Sequence, residues 1–138
     1  MNLHVHLQAV GVLQVLLALM HLALPRRFNW KAEMSRLSLL NRQIFYVHTF
    51  FICFVLLLFG LLNLVCADEL LAPGRLARTI LIGITTFWVI RWLFQLFVYD
   101  ARLWKGNRFN TLVHISFTLM WIYFIAVYSL AVWRQFDH

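Results

Sequence analysis

Four long runs of apolar residues, separated by short polar connectors, dominate the sequence. The runs cover about residues 5–24, 43–66, 79–99 and 110–133, and each supplies the roughly 20 apolar residues that a helix needs to cross a bilayer. Short connectors favour antiparallel neighbours. The pattern therefore predicts an all-α integral membrane protein, a four-helix up-down-up-down bundle in which residues 1–138 form a single transmembrane domain.

The start of the chain and the first connector carry two further predictions. Pro25 is expected to end the first helix, because proline in a helix interior removes a backbone hydrogen bond. The basic connector that follows, residues 26–42, has apolar residues spaced for a short helix along the membrane surface. No Lys or Arg precedes the first run, so we expect this helix to be retained rather than cleaved as a signal peptide.

Composition excludes two other classes of protein. The chain is 63% hydrophobic and only 12% charged, whereas a soluble domain carries about 25% charged residues and a disordered chain needs low hydrophobicity. The net charge of +7 would suggest a nucleic-acid partner in a soluble protein. Here the basic residues lie in the connectors between apolar runs, which favours a lipid bilayer as the partner and no nucleic acid.

The distribution of Lys and Arg predicts an orientation. Most of them lie in the connectors after the first and third helices, namely Arg26, Arg27, Lys31, Arg36, Arg42, Arg102, Lys105 and Arg108. Because positive charge is enriched in cytoplasmic connectors, these two connectors are predicted to be cytoplasmic and both termini to lie outside. The expected location is the cytoplasmic membrane of a bacterium.

A short internal repeat links the second and fourth helices. Residues 41–48 and residues 107–114 both read Asn-Arg, four residues, Val-His. This repeat predicts a duplicated helical hairpin, with two parallel copies related by a pseudo-two-fold axis along the membrane normal. His48 and His114 would then be equivalent residues.

Polar side chains fall at the cytoplasmic ends of all four predicted helices. An ionisable side chain in hydrocarbon costs about 2.5–3.5 kcal/mol on insertion scales, so each one is a functional-site hypothesis. Helical spacing places three polar residues on one stripe of the third helix, which we expect to face inward. The predicted layer consists of His21, His48 and His114 with Arg91, Gln95 and Tyr99.

The first functional hypothesis is a redox or metal-dependent membrane protein, an oxidoreductase with a histidine-lined cofactor site. His48 and His114 would ligate a haem b from opposite halves, with Arg91 toward its propionates. Alternatively, His21, His48 and His114 would hold iron, copper or zinc through three nitrogens. Arg91, Gln95 and Tyr99 would line the substrate side as catalytic residues.

Two other hypotheses remain open. The layer of arginine and histidine residues would suit a metal-free enzyme or transporter that binds a lipid-like, quinone-like or anionic substrate, because arginine offers planar paired donors. The protein would otherwise be a structural anchor subunit of a larger membrane complex, or a homo-oligomer, in which the polar layer only sets the register of the helices.

Overall fold

The computed structural model of the chain describes residues 2–137, and these are helical throughout apart from short connectors. Four long helices are apolar enough to cross a membrane, as predicted, and the protein is an all-α membrane protein. The long helices are α1 (Leu3–Arg27), α3 (Leu39–Val65), α5 (Arg75–Phe97) and α6 (Arg108–Arg134). Two short helices, α2 (Trp30–Glu33) and α4 (Ala67–Leu71), lie between them. Turns of 3-10 helix occupy Met34–Arg36 and Ala101–Leu103.

The helix ends differ from those predicted, most clearly at Pro25. Helix α1 continues through Pro25 to Arg27, so the prediction that proline ends it is wrong. Proline removes one N–H donor and its ring crowds the carbonyl one turn back, but α1 still continues for two residues beyond it. The next turn is still closed, since the Phe28 N–H donates to the Leu24 carbonyl over 3.0 Å.

Capping residues determine where α3 and α6 begin. Ser38 precedes α3 and its hydroxyl accepts a bond from the Asn41 N–H, so the helix begins four residues before the predicted residue 43. Asn107 caps α6 by accepting bonds from the N–H groups of Phe109 and Asn110. The two asparagines of the repeat therefore occupy different positions: Asn41 lies inside α3, whereas Asn107 lies just before α6.

The chain divides into two compact units. One consists of Leu7–Ala67 and is here named the α1–α3 unit. The other, the α5–α6 unit, consists of residues 2–6 and 68–137 among the described residues.

Close backbone contact joins the two long helices of the α1–α3 unit. A Cβ atom added at Gly60 would lie 2.7 Å from Val15 Cγ2 and 2.9 Å from the Gly11 carbonyl oxygen. Small residues allow membrane helices to approach in this way. Beside them, the buried Asn63 side chain donates to Gln14 Oε1 over 2.9 Å, which pairs two polar groups that hydrocarbon would not solvate.

Aromatic packing joins the helices of the α5–α6 unit. The ring of Trp88 stacks on Trp121 with centroids 4.9 Å apart and meets Phe124 edge-on at 4.8 Å. At the far end of the unit, the Gln135 amide donates to the carbonyls of Leu70 and Ala72 and accepts from the Gly74 N–H. These contacts fix α6 against the connector that precedes α5.

The Gly60 contact predicts a stability difference between two glycine substitutions. Gly60→Ala should lower the free energy of unfolding by about 1–3 kcal/mol, because the added methyl group overlaps backbone atoms that cannot move away independently. Gly83 of α5 has no atom within 4 Å of the same position, so Gly83→Ala should be neutral or stabilising. Denaturant-induced unfolding in detergent micelles measures both, and equal stabilities of the two variants would contradict the packing of α1 against α3.

Candidate functional site

A hydrogen-bonded chain of three side chains connects α5 to α6 near the end of the α5–α6 unit that carries the connector between them. Arg91 and Gln95 are one turn apart on α5, and Arg91 Nη1 donates to Gln95 Oε1 over 3.4 Å. Gln95 Nε2 lies 2.8 Å from His114 Nδ1 of α6. Gln95 is only 8% exposed, so its amide has little access to other partners.

The direction of these hydrogen bonds follows from what each group is able to do. A guanidinium only donates, so Arg91 takes the oxygen of the Gln95 amide as its acceptor. The amide nitrogen then faces His114 and donates to Nδ1. Because Nδ1 accepts, the proton of the neutral imidazole is carried by Nε2. His114 is therefore a hydrogen-bond donor at Nε2.

The connector between α5 and α6 holds the His114 ring in place. Trp104 stacks on it with centroids 3.9 Å apart and an interplanar angle of 9°. The Thr111 hydroxyl donates to the Trp104 carbonyl over 2.7 Å, and the Asn110 amide donates to the Leu103 carbonyl over 2.9 Å. Sequence analysis did not assign Trp104 to the site, because the turn that brings it onto His114 leaves no periodic signal.

Arg91 carries a charge that no acidic side chain neutralises. It is half-buried, and within residues 2–137 no Asp or Glu lies within ion-pair distance of its guanidinium. Its Cζ lies 5.2 Å from the ring centroid of Trp121 and 5.8 Å from that of Tyr99. Such cation–π contacts stabilise the charge without neutralising it.

Three indole N–H groups of the α5–α6 unit are enclosed and have no acceptor among the residues that the structure describes, namely those of Trp88, Trp92 and Trp121. An enclosed donor without a partner costs about 1–3 kcal/mol. The aromatic packing between α5 and α6 is therefore achieved at the cost of unpaired donors.

The carboxylate nearest in sequence to the site is already engaged. Asp100 accepts from the backbone N–H and the guanidinium of Arg102, with Arg102 Nη2 and Asp100 Oδ2 2.6 Å apart. The hydrogen bond from the Arg102 side chain is the largest cause that lowers the pKa of Asp100 below its ordinary value. Asp100 stays charged and paired in the connector at neutral pH.

His21 and His48 of the α1–α3 unit have a different arrangement. Nδ1 of His21 lies 2.8 Å from the Leu17 carbonyl, and Nδ1 of His48 lies 2.7 Å from the Ile44 carbonyl, one turn back in each helix. A carbonyl only accepts, so Nδ1 carries the proton in both rings and Nε2 has the lone pair. His21 is half-buried and His48 is exposed.

The structure thus brings together four of the predicted site residues, Arg91, Gln95, Tyr99 and His114, whereas His21 and His48 hydrogen-bond to their own helices. Residues 2–137 contain no group of three or more His, Cys, Asp or Glu side chains placed to hold a metal ion. Comparison with protein-family profiles, curated proteins and solved structures gave no match. The chemistry of the site follows from its own residues.

The hydrogen-bond directions predict two classes of histidine tautomer in one chain. At pH 8, nitrogen-15 NMR of histidine-labelled protein should show His114 protonated at Nε2, because its Nδ1 atom faces the Gln95 amide donor. His21 and His48 should be protonated at Nδ1, because this atom faces a carbonyl acceptor in both. Substitution of each histidine in turn assigns the signals. A His114 signal with the Nδ1–H pattern would contradict the Arg91–Gln95–His114 chain.

Proposed function

We propose that the protein binds an anionic amphiphile and that Arg91 holds its oxyanion headgroup. The observation that carries the proposal is the charge of Arg91, which lies in a membrane-spanning helix with no acidic partner among the described residues. Keeping such a charge in an apolar segment is costly, and a bound anion offsets the cost. The planar guanidinium forms paired hydrogen bonds with phosphate or carboxylate oxygens.

An amphiphile suits the surroundings better than a free ion. Large apolar side chains on α5 flank Arg91 and are exposed to the bilayer, namely Phe87, Ile90 and Phe94. A hydrocarbon tail lying against this surface would stay in lipid while its headgroup reached Arg91. Headgroup binding of this kind is a step shared by lipid-modifying enzymes and lipid transporters.

We also propose that the headgroup enters from the cytoplasmic side of a bacterial cytoplasmic membrane. The positive-inside rule supports this orientation, since eight of the twelve Lys and Arg residues lie in or within a few residues of connectors 28–38 and 98–107, which would be cytoplasmic with both termini outside. Arg91 is six residues from the end of α5, about 9 Å into the membrane. That depth is within reach of a lipid headgroup.

Binding of a synthetic probe tests the role of Arg91. In nanodiscs of neutral phosphatidylcholine, wild-type protein should bind dodecyl phosphate, and Arg91→Gln should weaken binding about 10- to 100-fold, the value of a charge-assisted hydrogen bond of about 1.5–3 kcal/mol. Arg91→Lys should fall between the two, because lysine keeps the charge but loses the paired donors. Isothermal titration calorimetry measures the affinities.

Matched controls separate a site from general attraction to a basic protein. Arg108→Gln removes the same charge from an exposed position at the same end of the α5–α6 unit and should leave the affinity unchanged. Dodecylphosphocholine, with the same tail and no net charge, should bind much more weakly than dodecyl phosphate. Equal binding of inorganic phosphate would identify a free anion rather than a lipid as the ligand, and equal losses in Arg91→Gln and Arg108→Gln would contradict the proposal.

A haem or metal site at the histidines is the second candidate function. It is favoured by the Nδ1 contacts of His21 and His48, because a histidine that donates Nδ1–H to a carbonyl presents Nε2 as a ligand. His114 could ligate in the same way only if the side-chain amide of Gln95 rotated by half a turn, so that its oxygen accepted a hydrogen bond from Nδ1.

Elemental analysis of purified protein tests this second candidate. It predicts near-stoichiometric iron, copper or zinc in the wild type and loss of that metal in both His48→Ala and His114→Ala, since each removes a ligand. Iron with a haem absorbance spectrum would indicate haem b. Metal that persists in both variants, or a folded wild type without metal, would contradict it.

A further inference from the structure

We infer that His114 donates a second hydrogen bond to the same headgroup and that Gln95 is the positioning residue that makes His114 a donor. This inference rests on the proposed binding of an anion at Arg91. It assigns to two further residues the selectivity of the site for anions.

The His114 ring is constrained at two points. Trp104 stacks on its face at 3.9 Å, and Gln95 Nε2 lies 2.8 Å from its Nδ1 atom. A neutral imidazole has one N–H, so the bond from Gln95 leaves Nε2–H as the only donor of the ring. A ring held in this way is ready to donate to an oxygen without reorganising, and preorganised donors bind more strongly than mobile ones.

The Gln95 amide is the origin of this arrangement. An amide has an acceptor for Arg91 at one end and a donor for His114 at the other. A carboxylate at this position would pair with Arg91 and accept a proton from Nδ1, so that Nε2 of His114 became an acceptor and the site repelled anions. An aliphatic residue would leave His114 free to adopt either tautomer.

The resulting ligand class is an oxyanion with at least two terminal oxygens. Arg91 has guanidinium N–H groups beyond the one that donates to Gln95, and His114 contributes one N–H. Toward the headgroup both groups can only donate, because Nδ1 of His114 is occupied by Gln95, so the headgroup must supply all the acceptors. A phosphate monoester or a carboxylate meets this requirement, whereas in phosphocholine a cationic group follows the phosphate.

NMR during titration with dodecyl phosphate provides the first test. At pH 8 in nanodiscs, the His114 Nε2–H signal should shift until the probe saturates, while the signals of His21 and His48 should not move. In Gln95→Leu the free protein should show a mixture of His114 tautomers, and half of the shift should need about ten times more probe, because His114 is no longer held as a donor. A merely structural role for Gln95 would not change the tautomer of His114.

A double-mutant cycle provides the second test. Gln95→Leu and His114→Phe should each weaken dodecyl phosphate binding about tenfold, the value of one hydrogen bond of about 1.4 kcal/mol, and the double variant should be no weaker than either single variant. His114→Phe retains a ring that can stack on Trp104, and it keeps the cycle informative if Gln95→Leu fails to fold.

Three outcomes overturn the inference. The first is a His114 signal that saturating probe does not shift, and the second is a double variant whose loss equals the product of the two single losses. The third is Arg91-dependent binding that His114→Phe leaves unchanged, and here the proposed function stands while the inference fails. If Arg91→Gln also leaves binding unchanged, the proposed function itself fails.

Discussion

The arrangement of the α5–α6 unit at its connector end depends on the accommodation of one positive charge in a membrane-spanning helix. Arg91 has an amide oxygen and two aromatic rings as neighbours, which stabilise the guanidinium but leave its charge uncompensated. Through the amide, this charge also orients its neighbours. It fixes which end of Gln95 faces His114, and so which nitrogen of His114 carries the proton. The Trp104 stack and the bonds that hold the connector then fix the ring.

Hydropathy was sufficient to predict the four long helices. A run of apolar residues long enough to cross a bilayer can satisfy all its backbone hydrogen bonds within the segment only as a helix. Helix ends were predicted less well. Pro25 is typical of a helix end in the sequence, yet α1 continues for two residues beyond it. The start of α3 depends on the cap at Ser38, a short-range hydrogen bond that the hydropathy pattern does not contain.

The same contrast holds for the site. Arg91 and Gln95 were predictable as neighbours because residues four apart share a helix face. The pairing of Gln95 with His114 depends on how α5 packs on α6, and the position of Trp104 depends on a turn, so neither leaves a periodic signal. His21 and His48 illustrate a further limit: Nδ1 of each ring is taken by a carbonyl of its own helix, and hydropathy does not show this bond.

The central claim is that Arg91 binds the headgroup of an anionic amphiphile. Native mass spectrometry of protein purified from its own membranes tests this claim most directly. The account predicts a bound species whose mass corresponds to an anionic lipid or fatty acid, present on wild-type protein and on Arg108→Gln but absent from Arg91→Gln. Wild-type protein that carries no such species after mild extraction, or a species that Arg91→Gln retains, would contradict it.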